Sequence, residues 1–318
     1  MAAGAHLAPV GSRGDPPGDR RDQPGGRRHH RRAPGGRGIP VNAIDVRRVT
    51  RQFGSFTAVD SVDLTVAHGE VVGLVGANGA GKTTLIRMIL GLLAPTAGRV
   101  DVLGAPPSRQ GRRRVGYVPQ NLGLYRDLTA LENLEFRAEA FGSTRHPVPF
   151  DGDALVGRLP LGLQRRAAFV AATQHDPAVL ILDEPTSGVS PLARSHLWNL
   201  IREQADGGSA VLVSTHYMDE AEQADRLVLM SQGRVAGTGT LADIIGPLTA
   251  VEVTAERWQQ AFELLDGTGP PVTLSGRTIR VLGADQAVVE TALAQGPVRA
   301  RVRSVPATLD EAMVLLDS

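Results

Sequence analysis

The sequence predicts an α/β fold built on a parallel sheet, and three short apolar runs carry that prediction. The runs are "VVGLV" (71–75), "VLIL" (179–182) and "AVLV" (210–213), and polar residues follow each of them. A continuous apolar run of this length is typical of a strand that is buried on both faces. Because helical patterns separate the runs, we expect parallel strands that are joined by helices.

Other segments fill in the order of the elements. Residues 43–53 and 61–70 alternate apolar and polar side chains, as half-buried strands do. A glycine-rich turn follows residue 75, and residues 82–93 ("KTTLIRMILGLL") predict a helix. Near Pro247 the composition changes, and residues 248–318 predict strand, helix, two strands, helix, strand and helix, the order of a small α+β, ferredoxin-like unit. We therefore expect a main domain over 43–247 and an appended one over 248–318.

Composition excludes some classes of site, and the net charge differs in sign between the N-terminal segment and the rest of the chain. The 318 residues include no cysteine, so disulfides and thiolate metal sites are excluded. Residues 1–40 hold eight Arg and three Asp, about +5, so the remainder carries about −4 of the net charge of +1. That segment is rich in Gly, Pro and Arg, so we expect it to be disordered. A patch for anionic lipid or nucleic acid is the alternative there, although we expect no nucleic-acid partner for the chain.

The sequence predicts no membrane span. The longest apolar candidate, residues 85–95, contains Arg87 and falls short of the roughly 18–20 residues that a span requires. The N-terminus also lacks the apolar region of a signal peptide. We therefore expect a soluble, cytosolic chain.

The glycine-rich turn "GANGAGKTT" (76–84) matches the phosphate-loop pattern G-x-x-x-x-G-K-[ST] between a buried strand and a helix, which is the context the pattern requires. Its lysine, Lys82, is the only lysine of the chain, against 33 arginines. A compact ammonium group suits the β- and γ-phosphates of a nucleotide better than a planar guanidinium, and Thr83 is a candidate Mg²⁺ ligand. The candidate phosphate-binding residues are Gly76, Asn78, Gly79, Gly81, Lys82, Thr83 and Thr84.

Polar residues at the carboxyl ends of other predicted strands complete a candidate site. Asp183 and Glu184 follow the second apolar run; Asp183 is a candidate Mg²⁺ ligand through water and Glu184 a candidate general base for an attacking water. Gln120 and His216 also follow predicted strands, at the edge where parallel sheets place ligands. Phe53 is a candidate for stacking on adenine, although an isolated Phe is more often a core residue.

In these motifs and their order, the chain resembles the ATP-binding cassette (ABC) family over about residues 43–246. The segments "DEPTSGV", "THYMDEAE" and "GRVAGTGT", and "PATLDEAMV" near the end, are most similar to ATPase subunits of drug and polysaccharide exporters whose membrane permease is a separate polypeptide. The resemblance implies a P-loop NTPase fold, ATP and Mg²⁺ as ligands, catalytic roles for Glu184, His216 and Gln120, and Thr83, Gln120 and Asp183 around Mg²⁺. It also implies a head-to-tail dimer, of two copies or with a homologous subunit, located at the inner face of the cell membrane.

The sequence departs from the family in its signature segment, Leu-Ser-Gly-Gly-x-Gln in relatives. Here it is "LPLGLQR" (159–165), so Pro160 and Leu161 replace the serine and a glycine. The resemblance implies that the segment contacts ATP held by the opposite subunit, through Pro160, Leu161, Gly162 and Gln164. Pro160 has no hydroxyl and no N–H. Loss of one donor aimed at transition-state charge costs on the order of 3 kcal/mol. Proline is favoured at the first helical position, so we expect Pro160 to begin the signature helix there.

Two further departures concern a loop and a length. The family's Ser-Gly-x-Asp-Pro D-loop is "SGVSP" (187–191) here, and we expect Ser190 to cap the next helix with Pro191 at its first position. Only 38 residues lie between Gln120 and Leu159, so we expect a shortened helical subdomain. Thr129 and Glu132 form the pattern of a capping box at the start of its first helix.

We therefore expect an ATP-hydrolysing subunit of an ABC exporter that energises a separate permease. The alternative is a nucleotide-binding regulatory or assembly subunit with little hydrolysis, which the substitutions at 160, 161 and 190 favour and Glu184, Gln120 and His216 oppose. A translation factor built from such cassettes is a third possibility, but those proteins resemble tandem pairs and this chain has one phosphate loop. The sequence does not identify the cargo, which the permease selects.

Overall fold

The computed structural model describes residues 42–144, 147, 150–246 and 248–317. The expectation of a disordered segment over 1–40 lies outside these residues. At its centre is a six-stranded sheet in the order β5-β6-β7-β3-β8-β9, parallel except for the last strand. The strands are β3 (Val71–Val75), β5 (Val115–Val118), β6 (Val179–Asp183), β7 (Ala210–Thr215), β8 (Arg226–Ser231) and β9 (Arg234–Gly239). Every residue of β3, β6 and β7 is buried, so the predicted parallel sheet is confirmed.

One face of this sheet packs against an antiparallel sheet and the first helix. The antiparallel sheet has the order β2-β1-β4 and consists of β1 (Asn42–Phe53), β2 (Phe56–Ala67) and β4 (Ala97–Val102). Helix α1 (Lys82–Ile89) shares an apolar cluster with both sheets. The predicted helix over 82–93 is thus too long: it ends at Ile89, because Leu90 caps it and Gly91 turns the chain with φ 64°.

The other face is covered by α3 (Leu161–Thr173) and α4 (Pro191–Asp206), which bury Phe169, Trp198 and Ile201 against it. Helix α2 (Ala130–Phe141) begins at the predicted capping box, with Thr129 and Glu132 hydrogen-bonded to each other's backbone. Among the described residues between α2 and α3 there is only a short 3₁₀ turn, Val156–Arg158. Such a connection, without a further α-helix in the described residues, agrees with the expected shortening of this subdomain.

The C-terminal part forms a second antiparallel sheet in the order β11-β12-β10-β13, the strand order of a ferredoxin-like unit. Its elements are β10 (Thr249–Ala255), α6 (Trp258–Leu265), β11 (Val272–Ser275), β12 (Thr278–Leu282), α7 (Gln286–Leu293) and β13 (Ala300–Pro306). Two further helices, α5 (Leu241–Ile245) and α8 (Leu309–Asp317), lie before and after this unit. The described residues form one compact unit, and a domain boundary near residue 247 stays a prediction.

The last helix returns to the central sheet. Its buried residues Leu309, Ala312 and Met313 share a cluster with Val75 of β3 and Leu229 of β8. None of the helices in the described residues combines the length and the apolar character that crossing a bilayer requires.

Candidate functional site

The loop between β3 and α1 depends on glycine at two positions where other backbone comes close. A Cβ atom on Gly76 would lie 2.3 Å from the carbonyl oxygen of Met230, and one on Gly81 would lie 2.5 Å from that of Ala58. Gly81 also has φ 99°, a conformation that favours glycine. Larger residues at either position would displace the loop, so its shape follows directly from the sequence.

Lys82 is the first residue of α1, directly after this loop, and is only 5% exposed. Its Nζ donates hydrogen bonds to the carbonyl oxygens of Gly76 (2.7 Å) and Ala77 (3.0 Å). An ammonium group has three donors, so one remains for a ligand. Burial lowers the pKa of Lys82, and the carboxylates of Glu184 and Asp183 act in the opposite direction. A phosphate beside it would further favour the charged form.

Asp183 is held by two hydroxyl groups at the end of β6. Thr83 Oγ1 donates to Asp183 Oδ2 at 3.0 Å and Ser214 Oγ donates to Oδ1 at 2.6 Å, and Asp183 is 1% exposed. Mg²⁺ prefers oxygen ligands and is usually held by one or two protein groups together with substrate phosphates. The hydroxyl of Thr83 and the carboxylate of Asp183, side by side, fit that requirement.

Glu184 is surrounded by side chains from the neighbouring strand ends. Gln120 Nε2, after β5, donates to its Oε2 at 3.1 Å, and His216 Nδ1, after β7, lies 3.3 Å from its Oε1. The backbone N–H of Glu184 donates to Ser214 Oγ at 3.0 Å. The structure therefore brings Gln120, Glu184 and His216 together, as their positions at parallel strand ends predict.

The Glu184 backbone is strained. Its φ of 50° lies in the left-handed region, which costs a non-glycine residue about 1–3 kcal/mol and is concentrated at functional sites. The hydrogen bond from its N–H to Ser214 and its burial keep it in that conformation.

A cavity of about 480 Å³ opens over the phosphate loop. Gly76, Asp183 and His216 are absent from its lining but contact residues in it. Phe53 is also absent: the Arg51 guanidinium lies 4.5 Å from its ring centre, and Phe56 lines the cavity instead. The lining residues are Phe56, Ala58, Asn78, Gly79, Gly81, Lys82, Thr83, Thr84, Gln120 and Glu184.

The signature segment lies apart from this cavity within one chain. Pro160 is the N-cap of α3, with ψ 144°, so the expectation of Pro160 at the first helical position is wrong by one residue. Its carbonyl oxygen accepts from the N–H groups of Leu163 (2.9 Å) and Gln164 (3.0 Å), as an N-cap carbonyl does. The Gln164 side chain donates to the Leu159 carbonyl at 2.7 Å. Leu161 is the first residue of the helix.

The D-loop meets the signature segment in a second cavity. Ser190 is the N-cap of α4 and accepts from the N–H of Ala193 at 3.4 Å, with Pro191 at the start of the helix, as predicted. Pro160, Gly162 and Ser190 line one cavity of about 240 Å³. Two of the departures noted in the sequence, at positions 160 and 190, are therefore neighbours in space.

Two residues of the site escaped sequence reasoning. Ser214 links Asp183 to the backbone of Glu184, and the signal for it is a hydroxyl residue near the end of a buried strand, in "VLVSTH". Arg165 donates to the carbonyl oxygens of Gln120 and Ser187. No local pattern predicts that contact, because its partners are 45 and 22 residues away.

The phosphate loop, the two consecutive carboxylates and the parallel sheet define a P-loop nucleotide-binding protein. A family model described as "ABC transporter" matches residues 59–187. The "Nod factor export ATP-binding protein I" of Rhizobium sp. (strain N33) is 35% identical over 295 residues, which cover 86% of this chain and 96% of that protein. The chain belongs to the ABC transporter family as an ATP-binding protein.

Further comparisons agree with this membership. The "Probable multidrug ABC transporter ATP-binding protein YbhF" of Escherichia coli (strain K12) is 37% identical over 235 residues, covering 69% of this chain and 41% of that protein, so the chain spans less than half of that relative. A solved "Structure of ATP binding subunit of ABC transporter" has a TM-score of 0.59 and 30% identity, covering 64% of this chain and 92% of that one. The expected ABC cassette fold is confirmed, and the relatives do not favour the alternative of a regulatory subunit.

Proposed function

We propose that the chain binds ATP with Mg²⁺ and hydrolyses it as a subunit of an exporter whose permease is a separate polypeptide. The observation that carries the proposal is the arrangement around Glu184, which Gln120 and His216 contact on its two carboxylate oxygens. A carboxylate held in this way at a phosphate site is suited to take a proton from an attacking water. The names of the relatives, which include export ATP-binding proteins, support the exporter assignment.

Each residue of the site has a role in this proposal. Lys82 and the loop N–H groups bind and orient the β- and γ-phosphates, and the α1 N-terminus favours their negative charge. Thr83 and Asp183 would hold Mg²⁺, with Gln120 nearby, and the ion would neutralise charge that develops on the transferred phosphoryl group. Phe53 stays the proposed partner for the adenine, and Phe56, which is 64% exposed and lines the cavity, is a second aromatic side chain available to it.

We further propose that two such subunits face each other head to tail at the inner face of the membrane. In one chain the signature segment lines a different cavity from the phosphate loop. In a head-to-tail pair, the signature segment would face ATP bound to the opposite chain. The residues that would do so are Leu161, Gly162, Gln164 and those around Pro160. ATP binding would close the pair, and hydrolysis would release it.

Steady-state ATPase activity with Glu184→Gln as the matched control tests the proposal. The substitution keeps the shape of the side chain but removes the base, so we expect turnover to fall at least about a hundredfold while ATP affinity is retained. If the wild type and Glu184→Gln hydrolyse ATP at the same rate, the result would instead favour the regulatory alternative. Magnesium removal by EDTA should abolish turnover in the wild type.

A further inference from the structure

Arg165, in the second turn of α3, is a buried cation that connects three segments of the chain. Its side chain is 7% exposed. Its Nη1 donates to the carbonyl oxygen of Gln120 at 3.1 Å, and its Nη2 donates to that of Ser187 at 3.2 Å. Gln120 follows β5 and Ser187 follows β6, so one guanidinium joins the signature helix to two loops of the site.

Each of the two residues that accept from Arg165 also forms a hydrogen bond with Glu184. Gln120 accepts from Arg165 through its backbone carbonyl and donates to Glu184 Oε2 through its side chain at 3.1 Å. Ser187 accepts from Arg165 through its carbonyl, and its N–H donates to the Glu184 carbonyl at 3.3 Å. The same guanidinium is therefore connected through Ser187 to the backbone of Glu184, and through Gln120 to its carboxylate.

The chemistry of arginine suits this position. Burial lowers the pKa of Arg165 and the charge of Glu184 acts in the opposite direction, but a guanidinium stays protonated in proteins. Its planar fork directs two donors to two separate acceptors, whereas the ammonium of a lysine is a point charge on a flexible stem. Hydrogen bonds from an ionised donor are also about twice as strong as neutral ones.

The start of α3 is itself packed against the D-loop and the helix that follows it. A Cβ atom on Gly162 would lie 2.9 Å from the Ala193 Cβ, and one on Gly188 would lie 3.1 Å from a methyl carbon of Leu161. These close approaches leave little free space between the start of α3, the D-loop and α4, so a displacement of α3 would act on the loops around Glu184.

We propose that Arg165 is a positioning residue for hydrolysis, through which the location of α3 sets the orientation of Gln120 and Glu184. The inference rests on the proposed ATPase function and adds to it a link within one chain between the signature helix and the general base. Arg165 acts through Gln120 and Ser187 and does not itself touch the reacting atoms.

The test measures kcat and KM for ATP in the full-length Arg165→Lys variant. We expect kcat to fall about tenfold with KM changed less than about threefold, because the residue orients the base and does not bind ATP. Arg137→Lys is the matched control: Arg137 donates to the Gly123 carbonyl in the loop that also holds Gln120, but no contact joins it to Glu184. That control should stay within about twofold of wild type.

A double-variant cycle with Gln120→Ala separates positioning from general destabilisation. If Arg165 acts through Gln120, Arg165→Lys should lower kcat by less than about threefold in the Gln120→Ala background. An equal factor in both backgrounds would overturn the inference that Arg165 acts by orienting Gln120. Arg165→Gln provides a second variant should Arg165→Lys fold poorly, and an unchanged kcat in either folded variant also overturns the inference.

The wild type and Glu184→Gln measured in parallel distinguish the two levels of failure. If the wild type hydrolyses ATP and Arg165→Lys matches it, the positioning role is wrong and the ATPase function stands. If the wild type equals Glu184→Gln, the ATPase function is wrong and the role of Arg165 is wrong with it.

Discussion

At the scale of single residues, Lys82 shows why one position keeps a lysine in a chain that otherwise uses arginine. Its ammonium reaches two carbonyl oxygens of its own loop at 2.7 and 3.0 Å and is almost wholly buried. A guanidinium is larger and planar and spreads its donors over a wide fork. Two carbonyl oxygens that converge on a single nitrogen therefore suit the compact ammonium.

Replacing this lysine should therefore remove nucleotide binding. Lys82→Ala deletes the charge-assisted hydrogen bond to phosphate that the one free donor would make, worth about 1.5–3 kcal/mol, and also the positive charge beside the phosphates, so we expect ATP affinity to fall by about a hundredfold. Titration with a fluorescent ATP analogue measures it. Lys82→Arg, which keeps the charge, should also bind weakly because of its shape. Undiminished affinity of Lys82→Ala would contradict the assignment of the phosphate loop.

Sequence reasoning about single residues is most direct where function depends on local spacing. The phosphate loop and the paired carboxylates are contiguous in sequence, so their chemistry could be recognised without the fold. Ser214 and Arg165 were missed because their partners are brought close only by the sheet. The choice between Phe53 and Phe56 depends on how the β1–β2 turn is oriented, which the residues alone do not determine.

At the scale of elements, the beginning of α3 carries the departures from the family signature. Pro160 is its N-cap and has no side-chain hydrogen bond to the helix N–H groups. Leu161 is 39% exposed, and its methyl carbon would lie 3.1 Å from a Cβ on Gly188. The leucine that replaces the family glycine thus packs on the D-loop of its own chain.

Restoring the family residues at this helix start should raise turnover. In the double variant Pro160→Ser, Leu161→Gly the new hydroxyl would supply the missing donor, and we expect kcat to rise by up to about a hundredfold, the effect of one such donor on the transition state. The two single variants separate the hydroxyl from the space that the glycine opens. No gain in the double variant would show that the Pro-Leu segment is already suited to its partner.

Element boundaries were predicted less well than element types. Buried strands such as 71–75 were recognised from their apolar runs, because few other structures accommodate such runs. The end of α1 was misplaced by four residues, since apolar residues continue to Leu93 while the chain has already turned at Gly91. The one-residue error at Pro160 arises because the N-cap and the first helical position differ in ψ, which the residue type does not fix.

At the scale of the whole molecule, α8 joins the two sheets that the sequence assigns to separate domains. Its apolar face packs with Val75 and Leu229 of the central sheet. Its Glu311 pairs with Arg280 of β12, which donates to Glu311 Oε2 at 2.9 Å. The sequence predicted the helix but not its packing, because both partners are far away along the chain.

The ion pair at this junction predicts acid sensitivity. Burial raises the pKa of Glu311, but hydrogen bonds from Arg280 and Thr308 and the Arg280 charge outweigh it, so its pKa lies below the ordinary 4.5. A lowered carboxyl pKa contributes stability that is present above the unfolded value and lost as pH falls through the folded one. The contribution should therefore be complete at pH 7 and decline below about pH 4.5.

Urea unfolding of Glu311→Gln at several pH values measures this contribution. We expect the free energy of unfolding at pH 7 to fall by about 2 kcal/mol, because the half-buried Arg280 loses its charged partner Glu311 and keeps only the more distant carboxylate of Glu252, at 3.5 Å. The difference from wild type should shrink below pH 4.5. Asp310→Asn, an exposed change on the same helix, should alter stability by less than about 0.5 kcal/mol. A difference for Glu311→Gln that is independent of pH would show that packing, not charge, matters there.

The left-handed backbone at Glu184 has an evolutionary implication. Glycine would adopt φ 50° without strain, so folding alone would favour a glycine after Asp183. The carboxylate at this position is therefore present at the cost of a strained backbone conformation. A related protein that no longer hydrolysed nucleotide could carry a glycine here and lose that strain, whereas this chain has a glutamate.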